Sequence, residues 1–390
     1  MTAKLGVLGV GKVVARVAAV AVLTVGPMLL SGCGSFFQCE GKADCPTTGS
    51  GGSGTSGDYA YVSNSSAGST YLNGYSLTSG TLATTTSSPY SLGYVPSAIA
   101  ITPANSYVYM TTDSAVSAGY IYGYSIGTGG ALTTLDSGTA LVSESASAMA
   151  VSPDGNWLFV LDTDGLTLEE YSIPSDGILK YANTYDITGA ANGVVTPSSV
   201  TVAPSGNYVV VALGTGGAET FSFNTTTGVA ASATLISPGN ASTGIYGVAV
   251  DPNNYLYCAG TAGLQVFSVT SAGIATLSNT YTAGDGPHSV VVDKAGTYVY
   301  VGNQTGGTIS GYSIGTNAAL TAIAGSPFTG PTDVSGLAID NSAKYLAAIG
   351  YNASSGTQLF SIGTGGALTL AVSGASGTTT AVPAVLATTH

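Results

Sequence analysis

Seven residues at one recurring position make the strongest chemical constellation in the chain. Aligning the hydrophobic positions Ile101, Val151, Val202, Val250, Val292, Ile339 and Thr388 and stepping back four gives Ser97, Ser147, Ser198, Tyr246, His288, Ser335 and Ala384. Four hydroxyls, a phenol and an imidazole on one ring would form a polar collar able to bind a ligand. Loops expected beside it bring Asp113, Glu144, Asp162, Asp164, Asp285, Asn303, Gln304, Asp333 and Asn352. His288 is the group suited to proton transfer, because an imidazole changes charge near neutral pH. Asp285 or Asp333 could orient it as a catalytic pair. The bland reading of His288 is a ring residue solvated by channel water.

Other apparent motifs carry less. Gly123-Tyr124-Ser125-Ile126-Gly127 and Gly311-Tyr312-Ser313-Ile314-Gly315 both match G-x-S-x-G. A nucleophile elbow needs a strand–turn–helix setting, and these serines fall inside a repeated strand pattern. Asp162-Thr163-Asp164-Gly165 begins like a calcium loop but lacks the later oxygen ligands and the closing Glu. No metal or cofactor is therefore expected, a cation near Asp162 and Asp164 being the one weak candidate. Cys258 sits in an apolar run with no cation near it in sequence, which marks a buried thiol rather than a nucleophile.

The elements that would position the ring are set by an internal repeat. An aromatic-Ser triplet recurs at Tyr75, Tyr124, Tyr171, Phe221, Phe267, Tyr312 and Phe360, in steps of 45 to 50 residues. Each copy sits in a unit of four short strand-like runs: an apolar run, a Pro/Asp/Asn/Gly turn, a Tyr-rich run, the triplet and an outer run such as 131–135. Seven such units predict an all-β fold, a seven-bladed β-propeller of four-stranded antiparallel blades. The first unit begins with its second strand (Tyr59-Ala60-Tyr61-Val62), and Pro383–Thr388 mimics a first strand. Pairing of the N- and C-terminal strands would therefore complete one blade and hide both open edges. The domain expectation is one propeller over 58–390.

Here the residues carry a resemblance. Tyr298-Val299-Tyr300-Val301-Gly302-Asn303 resembles the Tyr-Val-Thr-Asn repeat of the YVTN propellers. The wider unit, entered through Gly286-Pro287-His288, is similar to the seven-bladed lactonase family that includes 6-phosphogluconolactonase-like hydrolases. The resemblance implies the propeller fold and a lactonase-type ester hydrolysis at the channel mouth. Members commonly carry Gly-Pro-Arg-His at this loop and Asn-Glu after the next strand. This chain has Gly286-Pro287-His288-Ser289 and Asn303-Gln304, so the arginine is missing and the acid has become an amide. Gln cannot act as a base, and beyond Arg16 near the N-terminus there is no Arg to grip a phosphate or carboxylate.

The first 57 residues read as an address. Lys4, Lys12 and Arg16 precede an apolar run over 17–30, too short to span a bilayer comfortably and ending in Leu30-Ser31-Gly32-Cys33. That ending resembles the bacterial lipobox, which implies a signal peptide over 1–32 and lipidation of Cys33. Cys39 and Cys45 flank a short loop and could form a disulfide in an exported compartment. Gly and Ser dominate up to residue 57, so 33–57 is expected to be a tether with a reach of roughly 25–30 Å. The expected location is the cell envelope, exported and held to a membrane only by its lipid, on its periplasmic or surface face.

Charge narrows the partners. Only 7% of residues are charged, against roughly 25% in ordinary domains. Removal of 1–32 would leave four lysines, no arginine and 19 acids, a net charge of −15. A nucleic-acid partner is excluded on that balance, and a phosphorylated substrate is disfavoured. The leading expectation is a binding or scaffold module for an envelope glycan, an envelope protein or a small neutral ligand. The second is a lactonase-type hydrolase of a neutral sugar or other lactone, with His288 central. Sequence leaves the oligomeric state open.

Overall fold

In the computed structural model, residues 58–66, 69–77, 80–112, 119–189, 194–239, 242–351, 356–373 and 382–390 are described. They fold into seven antiparallel sheets within the unit Ser50–His390. The second blade shows the pattern: inner strand Pro96–Ile101, then Tyr107–Thr112, Ile121–Ile126 and outer strand Leu132–Thr134, each paired to the next. The remaining inner strands are Ala146–Val151, Ser199–Val202, Ile245–Val250, Pro287–Val292, Val334–Ile339 and Val382–Thr388. In the first and sixth blades the outer strand is broken into two short pieces, giving five strands where four were expected.

The expected closure is present. Tyr59–Ser66 pairs antiparallel with Val382–Thr388, with Tyr61 opposite Ala387 and Val62 opposite Leu386. Tyr59 and Thr389 add two further bonds of 2.8 Å, from Tyr59 N to Thr389 Oγ1 and from Thr389 N to Tyr59 O. Two strands over 300 residues apart in sequence thus share one blade, so the inner edge of Tyr59–Ser66 is paired.

The core lies between blades rather than at the centre. Phe159 and Leu161 of the third blade pack on Val209, Val211 and Phe221 of the fourth. The fourth meets the fifth through Tyr208, Val210, Leu256 and Cys258. Because both faces of each sheet are covered, inner strands read as continuous apolar runs rather than alternating ones.

Tyrosine and glycine together lock these junctions. The turn between the third and fourth strands holds a residue of positive φ, as at Gly130 (73°), Gly177 (74°) and Gly366 (81°). Such a backbone suits glycine and leaves its carbonyl pointing at the preceding blade. Tyr61, Tyr109 and Tyr300 donate to those three carbonyls at 2.8, 3.0 and 2.7 Å. In the fourth blade Val210 occupies the tyrosine position, and Thr220 Oγ1 bonds Gly273 O at 2.6 Å instead.

Acids tie down a second set of turns. Asp251, Asp293 and Asp340, all buried, follow their inner strands and accept backbone N–H groups of the next turn. Thr102 and Ser152 do this with hydroxyls in the second and third blades.

Candidate active site

The ring found by alignment coincides with a backbone irregularity. Pairing of inner and second strands skips Ser97, Ser147, Tyr246, His288 and Ser335, each facing no partner residue. Ser198 stands just before its strand and bonds Ala212 O at 3.0 Å, the residue that Ser199 also faces. In the first blade the register shifts between Val62 and Asn64, opposite the stretch that contains Ala384. A bulge inserts an extra residue and re-aims its side chain, so one insertion per blade turns these side chains out of the strand alternation.

Most of the collar has a structural task. Ser97 Oγ bonds Ala146 O of the next blade at 2.8 Å and Thr111 Oγ1 at 2.6 Å. Ser198 Oγ does the same to Tyr246 O at 2.9 Å. Ser147 and Ser335 make long bonds, 3.4 Å, to Leu161 O and Ile349 O. Ser97 and Ser198 are thus staples between adjacent inner strands.

Tyr246 and His288 break this pattern. Their rings stack, with centroids 5.4 Å apart and an interplanar angle of 6°. Gly247 lets the two inner strands approach: a Cβ there would lie 2.5 Å from His288 O. Burial lowers the His288 pKa below its ordinary value. The imidazole is therefore uncharged at neutral pH, half-buried, and joined by no hydrogen bond or ion pair to any described residue.

The expected carboxylate partner is not engaged. Asp285 is exposed; its backbone oxygen accepts Gly306 N at 2.9 Å. Asp333 is half-buried with φ 55°, and its backbone oxygen accepts Tyr351 N at 3.1 Å. Neither carboxylate bonds His288. Asn303 is not a ring group: it is fully buried, its Nδ2 bonded to Thr308 Oγ1 and Ser310 Oγ at 3.0 Å, while Oδ1 has no partner. Gln304 is half-buried, with its N–H on Gly286 O at 2.7 Å.

Glu144 lies half-buried beside Tyr171; burial, then Glu169 and Asp162, raise its pKa. Asp162 accepts Asp164 N and Gly165 N at 3.1 and 2.7 Å, so both its oxygens cap their own turn. Cys258 is a free, fully buried thiol whose pKa burial pushes up. Asp113, Asn352, Cys33, Cys39, Cys45 and the whole of 1–57 lie outside the described residues.

The channel itself departs from expectation. A cavity of about 720 Å³ lies toward the carboxyl ends of the inner strands, bordered there by Pro103, Pro153, Pro204, Lys294, Asn341 and His390. None of the described ring residues lines it. Ring and cavity thus occupy opposite ends of the inner strands. The cavity wall is formed by the inner edges of seven strands, each paired within its sheet only with its outer neighbour.

Residues 59–260, just over half of the 390, match the family model described as lactonase, 7-bladed beta-propeller. No curated protein sequence matches the chain. Among solved structures, a protein from Lactobacillus plantarum is similar over 86% of this chain and 99% of its own, at 16% identity and TM-score 0.67. A putative 6-phosphogluconolactonase from Bacteroides uniformis covers 85% and 99%, at 15% identity and TM-score 0.68. The periplasmic gluconolactonase of Pseudomonas aeruginosa covers 85% and 99%, at 12% identity and TM-score 0.65. At these identities the likeness is one of fold.

Proposed function

The chain belongs to the lactonase family of seven-bladed β-propellers, and from that premise we propose that it hydrolyses neutral lactones at the Tyr246–His288 corner of the bulge ring. The observation that carries this is His288: an uncharged imidazole, half-buried, with both ring nitrogens unclaimed by the described residues. Such a group takes a proton from water as the oxygen attacks the lactone carbonyl. Collapse of the tetrahedral adduct breaks the ring C–O bond, and the imidazolium returns its proton to the leaving alkoxide. The product is the open hydroxy acid.

A neutral substrate follows from the cations. The described residues hold only Lys180, Lys294 and Lys344 and no arginine, and Lys294 borders the cavity at the opposite end. Nothing at the ring would hold a phosphate. An uncharged sugar lactone, as in the name of the Pseudomonas relative, fits this corner better than the phosphorylated one named for the Bacteroides protein.

The test is a panel of neutral and phosphorylated lactones offered to the protein and to His288→Ala. Turnover of neutral lactones that drops about 10²- to 10⁴-fold in the variant supports the reading. Turnover unchanged by the substitution, or confined to phosphorylated lactones, overturns it.

The absence of a bonded carboxylate at His288 favours a second reading, a binding module for a neutral ligand. Saturable binding of the intact lactone without turnover would establish it. In either case we propose that Cys33 carries the lipid that holds the propeller at the envelope. Cys33→Ala should then move the protein from the membrane to the soluble fraction.

A further inference from the structure

A second cavity, about 420 Å³, opens where the third blade meets the fourth, on the face carrying the turns that follow inner and third strands. Its wall includes Asp154, Asn156, Trp157, Ser172, Thr225 and Thr226. Trp157 is the only tryptophan in the chain. The corresponding residue of the other six blades is tyrosine: Tyr59, Tyr107, Tyr208, Tyr255, Tyr298 and Tyr345.

The indole is held at both ends. Its Nε1 donates to Thr225 O of the fourth blade at 2.8 Å. Its six-membered ring lies against Gly228, where a Cβ would come within 2.2 Å of it. The edge of Phe223 stands against it at 6.4 Å, nearly perpendicular. This aromatic wall is fixed before any ligand arrives, which lowers the ordering cost of binding.

Apart from Ile173 and Pro174, the groups around it are polar and almost uncharged. Asp154 is the one acid, and both its oxygens are taken by donors of its own turn, Ser152 Oγ and the backbone and side-chain nitrogens of Asn156. The hydroxyls of Thr225 and Thr226 and the Oδ1 of Asn156 bond no described residue. An aromatic surface edged by free hydroxyl and amide groups suits a ligand with an apolar C–H face and hydroxyls around its rim. That is the chemistry of a sugar ring.

We propose that this pocket binds a neutral saccharide unit, stacked on Trp157 and hydrogen-bonded through Asn156, Thr225 and Thr226. An anionic ligand lacks a counter-charge here, since no Lys, Arg or His lines the wall, and both oxygens of Asp154 are already engaged by its own turn. A proline-rich peptide docks in grooves of several aromatics, and an extended peptide needs a free strand edge. This wall offers one aromatic ring and turns. The pocket and the ring lie on opposite faces, so this inference is independent of lactone hydrolysis.

Because Trp157 is unique, fluorescence of the full chain excited at the red edge, where the 24 tyrosines do not absorb, reports this site. The protein would be titrated with gluco-, N-acetylgluco-, manno- and galacto-oligosaccharides of one to four units, and with a proline-rich peptide. The expected result is a saturable emission change with at least one saccharide series, unaltered in His288→Ala. Asn156→Ala and Thr226→Ala should each weaken it about three- to tenfold. Trp157→Tyr restores the residue of the other six blades and keeps the Gly228 contact; by calorimetry it should bind about tenfold more weakly. No saturable change with any saccharide overturns the proposal. So does binding indifferent to all three pocket substitutions, or a response to the peptide alone.

Discussion

Tyrosine hydroxyls that close a blade junction and one that closes nothing should answer the same substitution oppositely. Tyr300 and Tyr208 are both fully buried on second strands. Tyr300 OH donates to Gly366 O across the sixth and seventh blades at 2.7 Å, and Tyr208 OH has no partner. Tyr300→Phe removes a bond worth a net ~1 kcal/mol and strands a buried carbonyl, which adds to the loss; about 2 kcal/mol of destabilisation is expected. Tyr208→Phe removes a hydroxyl whose unpaired burial costs ~1–3 kcal/mol by mutational data. Against this stands the loss of the oxygen's packing, so the variant should lie between no change and about 1 kcal/mol of stabilisation. The two variants should then differ by about 2–3 kcal/mol, far more than their shared chemistry would suggest. Equilibrium unfolding in urea measures this directly, provided the slopes agree and midpoints alone move. Equal destabilisation by both substitutions, or a larger loss at Tyr208, would refute the account of the junctions.

Glu170 is fully buried with Oε1 unpaired, and burial raises its pKa despite bonds from Asn183 and Tyr185. A carboxyl with a raised folded pKa holds its proton longer in the folded state, so stability falls as pH climbs from about 4.3 through the folded value. Glu170→Gln should therefore stabilise on the order of 1 kcal/mol at pH 7.5 and add nothing at pH 4, read by urea unfolding at both. His288 has the opposite sign: its lowered pKa means the unfolded chain binds the extra proton first, so it removes stability as pH drops below about 6.5. If His288 is the base, the acid limb of kcat/KM should also fall below pH 6.5, and a limb above 7 would contradict it. Gly247→Ala should cost about 1–3 kcal/mol and displace His288, because the added Cβ meets backbone rather than a movable side chain. Its melting temperature and lactone turnover should drop together. Cys258 should resist a thiol reagent in the native protein and react fully only in denaturant.

The fold was legible because it is written seven times. One triplet spacing indicates a propeller, and a first unit lacking its inner strand indicates where the chain closes. What escaped were interactions between copies, which have no signature inside one copy. The Tyr61–Gly130 and Tyr300–Gly366 bonds join residues 69 and 66 apart, and nothing in either turn announces its partner. Asn303 shows a different failure, one that strand alternation could have prevented. In Tyr298–Asn303 it shares a face with Val299 and Val301, both fully buried in the wedge between blades. Its polarity suggested a mouth residue, while its register places it opposite Thr308, with its side chain on Thr308 and Ser310. Glu170 likewise lies mid-strand among buried neighbours, and reading acids as surface groups misses it.

Counting back four residues picks out equivalent backbone positions, for a reason invisible in sequence. Stepping back four residues from the inner strand's end crosses the bulge, and it does so alike in every blade because the insertion falls at the same place. A serine there reaches a carbonyl, of the next blade for Ser97 and Ser198 and of its own blade for Ser147 and Ser335. Two adjacent positions depart from this. Tyr246 and His288 are too large to staple, and they stack on each other instead. Their blades share a core in which Tyr257 and Val266 pack with Val299 and Val301, and Gly247 lets the inner strands approach. A repeat protein can surrender its own pattern at little structural cost only where neighbouring copies already supply the cohesion. That is the condition met between the fifth and sixth blades. It leaves an imidazole with nitrogens uncommitted to any described residue at a position where serine could have bonded a carbonyl.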